Sequence, residues 1–207
     1  MVRFDEWFVP YNRAEPPEPK TKKDKHPVLT MIVFDVIDSV KTSIIIVFFL
    51  FTFVFRAVGV EGTSMVPTLN DGDWLAVTAV NIKPVERGDI VVVTQPWERN
   101  VPIIKRVIGV EGDIIYIDYV AGDVYVNNKK LIENYISEKT HLRYDVNFPL
   151  IVPEGCVFVM GDNRNDSLDS RSSEIGFINE NYVLGKTVLR FHPLSQWRIE
   201  EKEAKNV

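Results

Sequence analysis

The sequence predicts a mainly β domain standing behind one N-terminal transmembrane helix. Three observations carry that reading. Five of the twelve phenylalanines fall between Phe48 and Phe55, inside a stretch almost without charge. Beyond residue 60, short runs rich in β-branched residues recur, and no helix-period stretch of comparable strength appears. The 207 residues, 45% hydrophobic and 26% charged, fit one modest folded domain plus an appendage and exclude wholesale disorder.

Taken in chain order, residues 1–27 read as a polar cytoplasmic tail. The stretch 14–25 (AEPPEPKTKKDK) has proline and charge but almost nothing apolar to bury. Apolar residues return over 28–41, interrupted by Asp35, Asp38 and Ser39, which suits an amphipathic juxtamembrane segment. Residues 42–60 (TSIIIVFFLFTFVFRAVGV) carry one charge, Arg56, and read as the transmembrane helix. Their uncharged core, 42–55, is 14 residues long. That is short of the roughly 20 that span a bilayer, but Arg56 extends it by snorkelling to the interface. A buried core helix fits less well, because the phenylalanines make every face apolar. A leader cleaved at Ala57-Val58-Gly59 fits less well because 41 residues precede the apolar run. Lys22, Lys23, Lys25 and Lys41 come before the span, and the next cation after Arg56 is Lys83. The N-terminus is therefore expected in the cytoplasm and residues 61–207 outside, on a single-pass protein of the cell membrane.

Within 61–207, strands are expected at 74–80, 89–94, 101–110, 113–118, 157–161 and 182–191. Val124-Tyr125-Val126 and Lys130-Leu131-Ile132 flank Asn127-Asn128, a hairpin turn pair. A short helical turn is expected near 179–182. This region holds sixteen basic and twenty-two acidic residues, and the whole chain has a formal charge of −5. Neither implies the basic face of a nucleic-acid binder. The single cysteine, Cys156, excludes an intrachain disulfide and disfavours a cysteine metal cluster. His26, His141 and His192 lie far apart, without metal-ligand spacing.

Three segments carry the candidate chemistry. In Glu61-Gly62-Thr63-Ser64-Met65-Val66-Pro67-Thr68-Leu69, Gly62 and Pro67 bracket Ser64 with turn-forming residues that present a hydroxyl on a bend; a plain turn is the competing reading. Lys105 interrupts the apolar run 101–108, sharing one strand face with Ile103 and Val107 while Ile104, Arg106 and Ile108 share the other. Burial of that face lowers the lysine pKa. Reaching about 7 from about 10.4 takes roughly 4–5 kcal/mol, after which a neutral amine can take a serine's proton. An edge-strand lysine that blocks aggregation explains the same residue equally well. The third segment, Gly161-Asp162-Asn163-Arg164-Asn165-Asp166-Ser167-Leu168-Asp169-Ser170-Arg171, is a dense polar loop after an apolar strand. It reads either as a solvated loop or as a supporting shell, with Asp169 and Arg171 able to pair and a serine hydroxyl able to orient an amine. Its oxygens lack the calcium-loop spacing and closing Glu. Arg87-Gly88-Asp89 matches an adhesion tripeptide but reads better as the turn into strand 89–94.

In this order, Ser64-Met65-Val66-Pro67-Thr68-Leu69, Arg87-Gly88-Asp89-Ile90-Val91-Val92, Lys105-Arg106-Val107-Ile108-Gly109 and the 161–171 loop resemble the motif boxes of the bacterial type I signal peptidases, Ser–Lys enzymes of peptidase family S26. Coverage runs from about residue 40 to 193, and glycine at 62 with a single span is similar to the Gram-positive branch. The resemblance implies an antiparallel β-sheet or barrel catalytic domain. It implies a serine endopeptidase that removes N-terminal signal peptides from exported preproteins after small-x-small motifs. On the same ground Ser64 is the nucleophile and Lys105 the general base. Ser167 hydrogen-bonds the amine, Asp169 and Arg171 form a supporting ion pair, and Asp162 joins their network. Met65 packs near the substrate, and Gly62 stands where some relatives carry a second serine that helps bind the oxyanion. No metal or organic cofactor is implied. The implied partners are secreted preproteins, the lipid bilayer and the protein-export channel, with no nucleic acid. Another Ser–Lys protease of the superfamily, or a non-catalytic surface-binding module, are the competing functions.

Overall fold

The computed structural model of the chain describes residues 27–53, 55–78, 84–94, 101–197 and 199. The tail expected at 1–27, except its last residue, lies outside them, as do residues 79–80 of the strand expected at 74–80. The chain divides into two units, Met1–Ile44 and Ile45–Val207.

Helix α1 runs from Pro27 to Phe53. Proline suits its first position, where the N–H has no intrahelical partner. Lys41 pairs with Asp38 at 2.9 Å, and Thr42, Ser43 and Thr52 return their hydroxyls to carbonyls four residues earlier. Its apolar side chains are exposed, among them Ile32, Phe34, Ile44, Ile46, Phe48 and Phe49. Two expectations change here. The juxtamembrane segment 28–41 and the start of the span form one continuous helix. The helix expected over 42–60 stops at Phe53, and Phe55–Gly59 is strand β1. Residues 55–59 pair register by register with strand β2, Trp74–Thr78, and that ladder outweighs the helix-like composition. Arg56 therefore sits opposite Val77 in a sheet and does not end a helix. Among the described residues, no helix is long and apolar enough to cross a membrane. Asp35, Asp38 and Lys41 interrupt α1, leaving about 18 Å of uncharged helix at 42–53 against about 30 Å of hydrocarbon.

The remaining strands are β3 Ile90–Val93, β4 Ile103–Gly109, β5 Ile114–Asp118, β6 Asp123–Val126, β7 Lys129–Lys130, β8 Leu150–Ile151, β9 Cys156–Met160, β10 Ile178–Asn179 and β11 Val183–His192. All pairings are antiparallel. They build a seven-stranded sheet in the order β1-β2-β11-β3-β4-β9-β10 and a four-stranded sheet in the order β7-β6-β5-β8. Both orders have two ends, so these are open sheets. Asn127 and Asn128 take φ of 51° and 64°, the left-handed pair that a two-residue hairpin between β6 and β7 requires. Glu180–Tyr182 forms a single 3₁₀ turn capped by the Asn179 side chain.

The central strands are apolar on both faces because both faces are covered. Val91 and Val93 of β3, Val107 of β4, and Val157 and Val159 of β9 pack on one side with Val183. On the other, Ile90 and Val92 join Met65, Leu69 and Leu75. Ile108, Phe158 and Met160 pack with Ile115, Ile117, Val124 and Val126 of the small sheet. Any polar side chain carried by β4 is thus inside.

Glycine is required where β11 crosses β2. A Cβ on Gly185 would lie 2.2 Å from the Thr78 carbonyl oxygen and 2.6 Å from Val77 Cγ1. Gly185→Ala is expected to destabilise the chain by about 1–3 kcal/mol. A lower urea midpoint with unchanged slope is the expected reading.

Candidate active site

Ser64 lies on the connection from β1 to β2. The ladder continues one residue past β1: Val60 N–H donates to Asp73 O at 2.8 Å and Gly72 N–H to Val60 O at 3.0 Å. The chain then turns at Gly62, where φ is +88°, and the Gly62 N–H donates to Asp71 Oδ1 at 2.8 Å. Hydrogen bonds from Val66 N–H to Thr63 O and from Leu69 N–H to Met65 O close the next turn, with Met65 and Leu69 buried beneath it. Arg190 of β11 holds the far end, donating to Thr68 O at 3.3 Å and pairing with Asp73 at 2.5 Å.

Lys105 comes from β4. It is 4% exposed, and its Nζ hydrogen-bonds Ser64 Oγ at 2.6 Å. Burial pushes the amine down from its ordinary 10.5 to about 8; Asp169 opposes the shift, Arg171 adds to it and Asp162 opposes it. Here the Lys105 amine donates to the Ser64 hydroxyl oxygen; once the amine is neutral the same contact lets it accept the hydroxyl proton, which is how a serine is activated. Among the described residues the Ser64 backbone N–H meets no hydrogen-bond partner, whereas the Gly62 N–H is already used on Asp71.

The 161–171 loop is buried and cross-braced. Arg106, next to Lys105 but on the opposite face, donates to both oxygens of Asp162 at 2.8 and 2.7 Å and to Gly88 O at 2.9 Å. Its guanidinium stacks 4.0 Å from the centre of the Tyr135 ring. Thr68 Oγ1 donates to Asp162 Oδ2, and the Arg164 N–H to the Asp162 carbonyl at 3.0 Å. Arg171 donates to both oxygens of Asp169 at 2.8 and 2.9 Å, and Gly161 N–H donates to Asp169 Oδ2 at 2.9 Å. Arg164 pairs with Glu133 and donates to Thr140 Oγ1 at 2.9 Å. Asn163 N–H donates to Ser64 O at 3.0 Å and its side chain to Thr63 O at 3.1 Å, while Thr63 Oγ1 donates to Asp166 Oδ2 at 2.8 Å.

One expected contact is corrected. Ser167 Oγ is buried without a hydrogen-bond partner, so it does not bond the Lys105 amine. It packs instead against Gly161, where a Cβ would come within 2.2 Å of Ser167 Oγ and 2.5 Å of Ser64 O. Met65 is buried in the core and also lines the cavity beside Ser64. That cavity is about 530 Å³; Gly62, Ser64, Ile104 and Lys105 line it too. The Arg87-Gly88-Asp89 turn is internal: Arg87 forms a two-pronged pair with Asp113, and Asp89 caps the Glu86 N–H and pairs with Lys186. His141 Nδ1 lies 3.1 Å from the Tyr119 carbonyl oxygen, and its backbone N–H donates to Asn165 Oδ1. Sequence reasoning missed Arg106, Thr68, Glu133, Tyr135 and the Asp73–Arg190 clamp as parts of the framework. Arg106 alone had a signal, a second charge inside the apolar run that held Lys105.

Comparison with known proteins bears on this site. The family model described as signal peptidase, peptidase S26, matches residues 33–192. Signal peptidase I of Bacillus licheniformis is 36% identical over 80% of this chain and 92% of its own. Signal peptidase I of Bacillus amyloliquefaciens is 39% identical over 70% of this chain and 78% of its own. A solved signal peptidase I from Enterococcus faecalis V583 aligns at 33% identity over 51% of this chain and 98% of its own, with a TM-score of 0.41.

Asp162 and Ser167, two polar residues of the 161–171 loop (the acid loop), should separate in a stability measurement. Asp162→Ala leaves the buried Arg106 guanidinium without its carboxylate and is expected to cost about 3–5 kcal/mol. Ser167→Ala removes a hydroxyl that bonds nothing and should change stability by less than about 1 kcal/mol. Urea unfolding of both variants beside the parent chain makes the comparison.

Proposed function

The chain belongs to the signal peptidase family, peptidase S26, and is a serine endopeptidase of the signal peptidase I type; from that premise we propose that Ser64 and Lys105 carry out the cleavage. The observation that carries this reading is the 2.6 Å contact between Lys105 Nζ and Ser64 Oγ, with the amine buried. Protonated, the amine has no lone pair to offer. Neutral, it accepts the Ser64 proton as Oγ attacks the scissile carbonyl at the end of a signal peptide. The leaving amine takes that proton, an ester links the peptide to Ser64, and water deprotonated by the same amine releases it.

The developing oxyanion needs donors, worth about 10²–10³ in rate each. The Ser64 backbone N–H suits one of them. The Gly62 N–H does not, since Asp71 holds it. Asp162, Asp169 and Arg171 act as positioning residues, fixing the loop against which Ser64 O and the amine rest. The substrate lies extended along a strand edge, with its first and third residues before the cut facing the apolar cavity that Met65 lines and Gly62 borders. This arrangement favours small residues there. The substrates are exported preproteins carrying signal peptides. We further assign α1 to the bilayer, with the N-terminus cytoplasmic and the β domain outside; the uncharged stretch 42–53 is shorter than the hydrocarbon, and local thinning of the bilayer with snorkelling of Lys41 makes up the difference. The exposed apolar side chains of α1 and the lysines preceding it support that assignment.

Ser64→Ala and Lys105→Ala are each expected to lower preprotein cleavage more than about 10³-fold. Full activity in either variant removes the mechanism. For the parent chain, the base must be neutral, so kcat/KM rises with pH and levels off above an inflection near 8. A profile flat from pH 6 to 9 contradicts a buried lysine base.

A further inference from the structure

Among the described residues that line the cavity beside Ser64, Glu61 is the acidic one. It lies at a sheet edge. Among the described residues β1 ends the seven-stranded sheet and pairs with β2 alone, and the cavity runs from residues 58–62 along that edge to residues 101–105. Side chains alternate along this segment. Val58 and Val60 pack toward the core cluster of Met65, Leu69 and Leu75. Gly59 and Glu61 therefore take the opposite, outer face. Glu61 is exposed, and its carboxylate makes no hydrogen bond or ion pair with the described residues.

The neighbouring position strengthens the case. Gly59 is the register partner of Trp74, and a Cβ at Gly59 would lie 4.0 Å from the indole. The glycine leaves that ring uncovered toward the edge, and Trp74 is 46% exposed. An indole beside Gly59 and an exposed carboxylate two residues further along the same edge suit a side chain with an apolar stem and a cationic head.

We propose that Glu61 is a specificity-determining residue of this enzyme, selecting signal peptides with lysine or arginine at the second residue before the cut. The inference rests on the Ser64 reading above. A substrate strand added to the β1 edge also alternates. Its first and third residues before the cut turn to the apolar side with Val60, Met65 and Ile104. Its second residue turns to the face of Gly59 and Glu61. The stem of a lysine or arginine there crosses Gly59 toward Trp74, and its charge meets Glu61.

The test uses the full chain in neutral detergent. Two signal-peptide substrates that differ only in Lys or Glu at that position compete in one mixture. Their relative kcat/KM does not depend on how much enzyme is folded. The parent chain is expected to prefer the lysine substrate by about 3–10-fold at low salt, as for an exposed ion pair set against a like-charge pair, and less at 1 M salt. Glu61→Gln should bring the ratio near one, and Glu61→Lys should invert it. A parent ratio near one, or a ratio indifferent to residue 61, overturns the assignment. Ser64→Ala run alongside separates the two claims. If it cleaves like the parent, the Ser64 reading fails; if it is inactive and the ratio ignores residue 61, only the specificity claim fails.

Discussion

The site depends on taking one ammonium out of water without giving it a carboxylate. Lys105 and Arg106 are neighbours on β4, and both are buried. Arg106 cannot give up its proton under ordinary conditions, and it receives a two-pronged carboxylate from Asp162 and a carbonyl from Gly88. Lys105 receives a hydroxyl. Water is withheld from both, so the arginine stays charged and structural while the lysine answers burial by releasing its proton more readily. One strand thus supplies a permanent cation to one face and a titratable base to the other.

The surrounding charges serve to hold geometry. Four arginine–carboxylate pairs, Arg106–Asp162, Arg164–Glu133, Arg171–Asp169 and Arg190–Asp73, surround the serine turn and the acid loop. Buried pairs add little net stability over well-packed apolar groups, but breaking one is costly, so they enforce a single arrangement. Thr68 is tied to the Asp162 carboxylate and Ser64 O to the Asn163 N–H. Gly161 completes the joint by omission. Its missing Cβ is the space in which Ser167 and the Ser64 carbonyl meet. A displacement of the 161–171 loop therefore moves the Ser64 turn, though none of these pairs touches Ser64 Oγ.

Much of this was legible in the sequence where a local rule has one solution. Valine-rich runs became β3, β4 and β9, and Asn127-Asn128 became the left-handed hairpin turn. The Ser64, Lys105 and 161–171 segments meet in space, as a serine needing a base and a lysine stranded in an apolar run both suggest. Legibility failed where the decision is tertiary. Residues 55–59 continue a phenylalanine-rich helical composition, and only the partner strand Trp74–Thr78 makes them β. Ser167 sits within reach of the site, but motif spacing fixes neighbourhood and not the direction of a hydroxyl. Tyr135 and Glu133 lie in an irregular loop with no period to mark them, and they matter because two guanidinium groups face that ring.

The value of about 8 for the Lys105 amine is a balance that the framework sets. Burial and Arg171 pull the amine down; Asp169 and Asp162 hold it up. Below that value the protonated form predominates, and a minority of the molecules carry the neutral amine. A lower value would enlarge that fraction but weaken the base by the same chemistry, since a poorer proton acceptor pulls less on the serine proton in the transition state. In the proposed reaction the amine must act twice, on the hydroxyl and then on water, and must release its proton to the leaving group in between. A pKa near the working pH serves both directions of transfer. The carboxylates paired with Arg106 and Arg171 thus set the height of the base as well as the shape of the loop.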